Sequence, residues 1–163
     1  MERISKENYY LNIAETVAKR STCLRRCYGA IIVKNDEIIS TGYNGAPRGR
    51  KNCVDLGCCT REAMKIPSGQ RYELCRSVHA EANSIISAAR RDTLGATLYM
   101  TCIDPATGDL IPGSTSCSMC RRLIINAGIE RIVIRDTAEA YRVVDVQKEW
   151  VEEDDSLPEH ITI

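Results

Sequence analysis

Four side chains in this sequence have the types and spacing for hydrolytic metal chemistry: His79 and Glu81 in SVHAEANSI, and Cys117 and Cys120 in SCSMC. One imidazole and two thiolates make the three-ligand set of a catalytic zinc, which leaves a fourth position for water. An ion held this way makes its water far more acidic than bulk water. Glu81 is then free to act as the proton shuttle. Each piece alone has a plainer reading. A CxxC is also half of a structural zinc knuckle, a redox pair or two buried thiols. A lone His79 is a hydrogen-bonded histidine, and a lone Glu81 is a first-turn acid favoured by the helix dipole.

The combination is more specific than its parts. H-x-E followed by C-x-x-C follows the zinc deaminase signature, except that Ser116 stands where that signature has proline. Proline is not a ligand, so the metal chemistry survives the change while the loop entering the helix differs.

The elements that must position these groups can be read from periodicity. Ser5 caps a predicted helix running to about Lys19, with Tyr9, Ile13, Val17 and Tyr10 on one face. Tyr28 to Val33 and Glu37 to Tyr43 read as two strands joined by a tight turn at Asn35 and Asp36. From Asn44 to about Arg76 the chain is irregular and carries four cysteines, with REAMK as a short helix. Residues 79 to 91 predict a helix with Ala82, Ile85, Ile86 and Ala89 at helical spacing. A strand at 96 to 102 follows, then a helix from Cys117 to Asn126 stopped at Gly128, and a buried strand at RIVIR, 131 to 135. Tyr141 to Val146 reads as a last strand and EEDD, 152 to 155, as a solvated tail. Strands alternating with helices after an initial hairpin imply an α/β architecture on a mixed sheet.

Bulk properties narrow the field. The 163 residues are 44% hydrophobic and 27% charged, the size of one domain with one core. Residues 1 to 163 are therefore expected to form a single domain, with an insertion at about 44 to 76 and a less regular segment at about 136 to 163. Twenty-two basic and 22 acidic residues balance, which argues against a general nucleic-acid binder. Without an export signal or an apolar run of membrane length, a soluble cytoplasmic protein with no membrane partner is expected. Nine cysteines in such a chain point to metal ligation rather than a disulfide framework.

The blocks around these motifs resemble the deoxycytidylate deaminase family. They are STCLRRCYGAIIVKNDEIISTGYNGAPRG at 21 to 49, YELCRSVHAEANSI at 72 to 85, and GATLYMT with SCSMCRRLIINAGI. The resemblance implies a three-layer α/β/α fold on a five-stranded sheet and zinc-dependent conversion of dCMP to dUMP. It also implies a homo-oligomer, often a hexamer, with dCTP and dTTP as effectors. It marks Asn44 and Ala80 as substrate-binding residues and places Arg25, Arg26 and Arg48 in the nucleotide-binding region. Arg26 is the first choice for the phosphate. A turn asparagine is the plainer reading of Asn44 in an Asn-Gly pair.

Some members of that family carry a second, structural zinc, and Cys23, Cys53, Cys59 and Cys75 are the ligands this implies here, with Cys58 as substitute. Cys27 and Cys102 read as core filler. The competing readings are a tRNA adenosine deaminase using the same chemistry, and a zinc-stabilised binding module without turnover. Four closed protein ligands would be normal for the latter.

Overall fold

The computed structural model describes residues 1–161. Ser5 caps helix α1 (Lys6–Ala18), accepting a hydrogen bond from the Asn8 amide. Strands β1 (Cys27–Lys34) and β2 (Glu37–Tyr43) follow as a hairpin. Its two turn residues, Asn35 and Asp36, both adopt positive φ, 51° and 66°, as a turn matched to the strand twist requires. Two single-turn helices, α2 (Cys53–Leu56) and α3 (Thr60–Ala63), and a 3-10 turn at Tyr72–Leu74 occupy the irregular stretch. Then come α4 (Ala80–Ile86), α5 (Arg90–Thr93), β3 (Thr97–Ile103), α6 (Ser118–Ala127), β4 (Arg131–Arg135) and β5 (Tyr141–Asp145). A wide π-type turn at Gln147–Glu152 closes the regular structure.

The described residues build one five-stranded sheet in the order β2-β1-β3-β4-β5. It is mixed: β3 and β4 are parallel, joined through α6, while the other neighbours are antiparallel. Alternation along the strands feeds two cores. Ile31, Val33, Tyr99 and Val133 pack under Tyr10, Leu11 and Ala14 of α1. Ala30, Ile32, Leu98, Met100, Ile132 and Ile134 pack against Ala80 of α4 and Ile124 of α6 on the opposite face. Helices therefore cover both faces of the sheet. Among the described residues no helix is long and apolar enough to cross a membrane.

Two expectations need correction. The helix opened by His79 ends at Ile86 rather than Arg91, and α5 restarts at Arg90 after a break. Its buried face is Ala80, Glu81 and Ser84, whereas Ile86 is 73% exposed. In α1 the buried residues are Tyr10, Leu11, Ala14 and Ala18, and Tyr9 lies on the open side. In α4 the side that fits against the sheet approaches it closely and admits small residues such as alanine and serine.

Candidate active site

Two helix N-termini converge on one spot. His79 is the N-cap of α4 and Cys117 the N-cap of α6, both in extended conformation, and Cys120 lies in the first turn of α6. The start of α4 is pinned to the end of the hairpin. Val78 and Gly45 exchange backbone hydrogen bonds of 2.7 and 3.2 Å, and Asn83 Nδ2 donates to the Tyr43 carbonyl at 2.8 Å. Gly42 makes this possible: a Cβ there would lie 2.3 Å from the Ala80 carbonyl oxygen. The loop before α6 is held by arginines, with Arg121 Nε donating to the Ser116 carbonyl at 3.2 Å and Arg142 to that of Ser114 at 2.5 Å. Ser116 itself is buried, so a small polar side chain fills the place of the signature's proline.

His79 Nδ1 lies 3.5 Å from Cys117 Sγ and 3.4 Å from Cys120 Sγ, and all three ligand atoms fall within 4.8 Å of one another. A tetrahedral zinc with bonds of about 2.3 Å to sulfur and about 2.0 Å to nitrogen sets such atoms about 3.5 Å apart, so the donor set fits the ion in both chemistry and spacing. Cys120 and then His79 hold the Cys117 thiol down at about 4, against burial. Burial works to lower the His79 pKa, yet the Cys117 and Cys75 sulfurs raise it to about 10. A divalent cation needs thiolate and neutral imidazole ligands, so its binding would displace protons from these groups.

Glu81 projects from the buried side of α4 and is 3% exposed. Burial pushes its carboxyl above the usual glutamate range. It lines a cavity of about 160 Å³ together with His79, Cys117, Tyr28, Asn44 and Tyr72. Asn44 is buried and largely engaged: Oδ1 accepts from Ser21 Oγ at 2.5 Å and the Tyr28 amide at 2.8 Å, while Nδ2 donates to the Arg26 carbonyl at 2.9 Å. It thus ties β1 to the loop after β2, with one amide hydrogen left over. Ala80 is fully buried in the core beside the site. Arg25 and Arg26 line the cavity, whereas Arg48 is exposed and away from its lining.

Among the described residues, His79, Cys117 and Cys120 form the only metal-ligand trio. Cys23, Cys59 and Cys75 line the same cavity and Cys53 is buried nearby, but the four sulfurs do not gather as a ligand set. Cys27 and Cys102 are buried. Arg61, Tyr72 and Ser77 also line the cavity and lie outside the sequence-based site. Tyr72 and Ser77 lie in the block at 72 to 85 but outside its metal motif, and the irregular stretch offered no periodicity to place Arg61.

An α/β/α sandwich that gathers these donors around a buried glutamate is of the zinc deaminase class. Residues 4–136 match the family model described as the cytidine and deoxycytidylate deaminase zinc-binding region, and the chain belongs to that family. It is 38% identical over 137 residues to the deoxycytidylate deaminase of Mycobacterium phage D29, covering 82% of this chain and 96% of that protein. It is 34% identical over 131 residues to the deoxycytidylate deaminase of Schizosaccharomyces pombe, covering 80% of this chain and only 37% of that longer protein. Among solved structures, dCMP deaminase from the cyanophage S-TIM5 in complex with dCMP and dUMP is similar, with a TM-score of 0.55 and 26% identity. The match covers 82% of this chain and 84% of that one.

Proposed function

We propose that this protein hydrolyses dCMP to dUMP and ammonia. The observation that carries the reading is a buried carboxylate, Glu81, in one cavity with His79 and Cys117 of the zinc-spaced trio and with Asn44 and Arg26. The deoxycytidylate deaminases among its relatives support the substrate. Zinc held by His79, Cys117 and Cys120 supplies a Lewis acid that activates water.

Glu81 takes the proton of the attacking water and passes it to N3 of cytosine, which makes C4 more electrophilic. The hydroxide adds at C4, and Glu81 takes the proton of the new C4 hydroxyl and delivers it to the departing 4-amino group as the C4 carbonyl forms. The C4–N bond breaks and ammonia leaves. Burial of Glu81 suits it to both transfers, because a raised pKa makes the carboxylate a better proton acceptor while leaving it able to give the proton back. Asn44 lines the cavity that takes the nucleoside, with Ala80 packed in the core behind it, and Arg26 lines the same cavity. A second zinc on Cys23, Cys53, Cys59 and Cys75 would fix the insertion to the domain; Cys23, Cys59 and Cys75 line one cavity, and the four sulfurs would have to draw together to hold it. The protein is read as cytoplasmic. Exposed Ile86 on α4 and Met119 and Leu123 on α6 supply an apolar surface for pairing of copies.

Glu81→Gln tests the reading, together with chelation. The variant should retain zinc and lose at least about 10³-fold in kcat, in the range of a lost general acid–base. The metal-free wild type should be inactive and recover when zinc is returned. Full turnover by either sample contradicts the proposal.

A further inference from the structure

Arg61 has no part in the mechanism above, yet it lines the same cavity as His79 and Glu81 and is 8% exposed. Its Nη2 donates to the carbonyls of Pro67, at 3.1 Å, and Gln70, and its guanidinium lies over the Tyr72 ring, 4.3 Å from the centroid. The Tyr72 ring in turn stands edge-on to His79, with centroids 5.4 Å apart. One aromatic ring therefore separates the guanidinium from the metal ligand. Arg61 Nε is buried and bonds to nothing among the described residues, and no carboxylate there lies within ion-pair distance. Ser77 repeats the pattern: its hydroxyl is buried without a hydrogen-bond partner among the described residues, and the residue lines the same cavity.

Buried polar atoms in native proteins are nearly always paired, and an uncompensated buried cation is the costliest exception. Two such orphans on one cavity wall describe a place for an anion with several acceptor oxygens. The neighbouring arginines differ: Arg25 is half-exposed and already paired with Glu62 at 2.6 Å, and Arg26 is exposed, where water satisfies its guanidinium. We infer that Arg61, with Ser77 beside it, is the specificity determinant that selects a monophosphate ester over the free nucleoside. The inference rests on the dCMP reading and adds to it the residue that reads the phosphate. Phosphate oxygens accept the Arg61 Nε–H and the Ser77 hydroxyl, while the carbonyls of Pro67 and Gln70 hold the fork in place before substrate arrives.

The test compares kcat and KM for dCMP and deoxycytidine in zinc-loaded wild type, Arg61→Gln and Ser77→Ala. Arg61→Gln should raise the KM for dCMP about 10- to 100-fold, the range of a charge-assisted hydrogen bond, and change that for deoxycytidine far less. Ser77→Ala should act in the same direction, about 2- to 10-fold. Equal effects on both substrates, or none, would make Arg61 a support for the insertion and overturn the inference. Arg61 also pins the loop at Pro67 and Gln70, so the wild-type protein provides a reading that no misfolding disturbs. Its Nε–H resonance in NMR should shift on adding dUMP but not deoxyuridine, and the same response to both, or to neither, overturns the inference. A wild type that prefers dCMP while Arg61→Gln leaves that preference intact defeats this inference alone; a wild type that ignores dCMP defeats the reading beneath it as well.

Discussion

Glu81 owes its chemistry to where its carboxyl is kept. With nearly all of its surface withdrawn from water, the ionised form loses hydration, and the pKa rises above the ordinary glutamate value. The sign of the consequence is definite. The group must be ionised to accept a proton from water, so activity falls as pH drops through a raised pKa, and the acid limb of kcat/KM lies above the usual carboxylate range of about 4.3. The same shift means that protonated Glu81 favours the fold, a contribution present at low pH and lost as pH rises through the raised value. A pH–rate profile checks the first point; an acid limb at or below the ordinary glutamate value would count against a buried shuttle. The metal ligands were legible from residue types alone, because H-x-E and C-x-x-C each place their groups within one helical turn. Arg61 was not, because an isolated arginine carries no signal until burial strips it of partners.

At the scale of elements, β1, β2 and β4 could be read from alternation and turn chemistry, and the observed strands end within a residue or so of the expected ones. Helix α4 shows where that kind of reading fails. Apolar periodicity pointed to Ile86, but the core-facing positions are taken by Ala80, Glu81 and Ser84, and Ile86 faces outward. A helix that delivers a polar group into a cavity gives a misleading apolar stripe. Close approach of β2 to this helix is the feature that sets its position. Gly42→Ala would put a methyl group 2.3 Å from the Ala80 carbonyl oxygen and 2.4 Å from the Ser84 amide nitrogen, both backbone atoms. We expect destabilisation of about 3 kcal/mol, the upper part of the overpacking range, and weakened zinc affinity as His79 moves with the helix. Denaturant unfolding and a zinc-binding titration measure both, and a variant of wild-type stability would show that the contact is not what positions α4.

For the molecule as a whole, the buried ion network around Arg135 connects the first helix to the middle of the sheet. Arg135 in β4 is 2% exposed and donates to Asn12 Oδ1 at 2.6 Å, Asn8 Oδ1 at 2.9 Å and Glu15 Oε2 at 3.2 Å, all from α1. We propose that the chain folds as one domain, since α1, β4 and the site helices share a single sheet. Glu15→Ala leaves the buried guanidinium without its carboxylate and should cost about 3 kcal/mol, lowering one cooperative transition rather than splitting it. Calorimetry distinguishes the two outcomes, and a biphasic trace would refute the single-domain proposal.

Ammonia release from dCMP, deoxycytidine, cytidine and a tRNA anticodon stem, measured side by side with the zinc-loaded protein, tests the central claim most directly. The highest kcat/KM is expected for dCMP, abolished by Glu81→Gln with zinc still bound; a preference for any of the other three, or turnover that survives loss of the Glu81 carboxylate, would contradict dCMP deamination by Glu81.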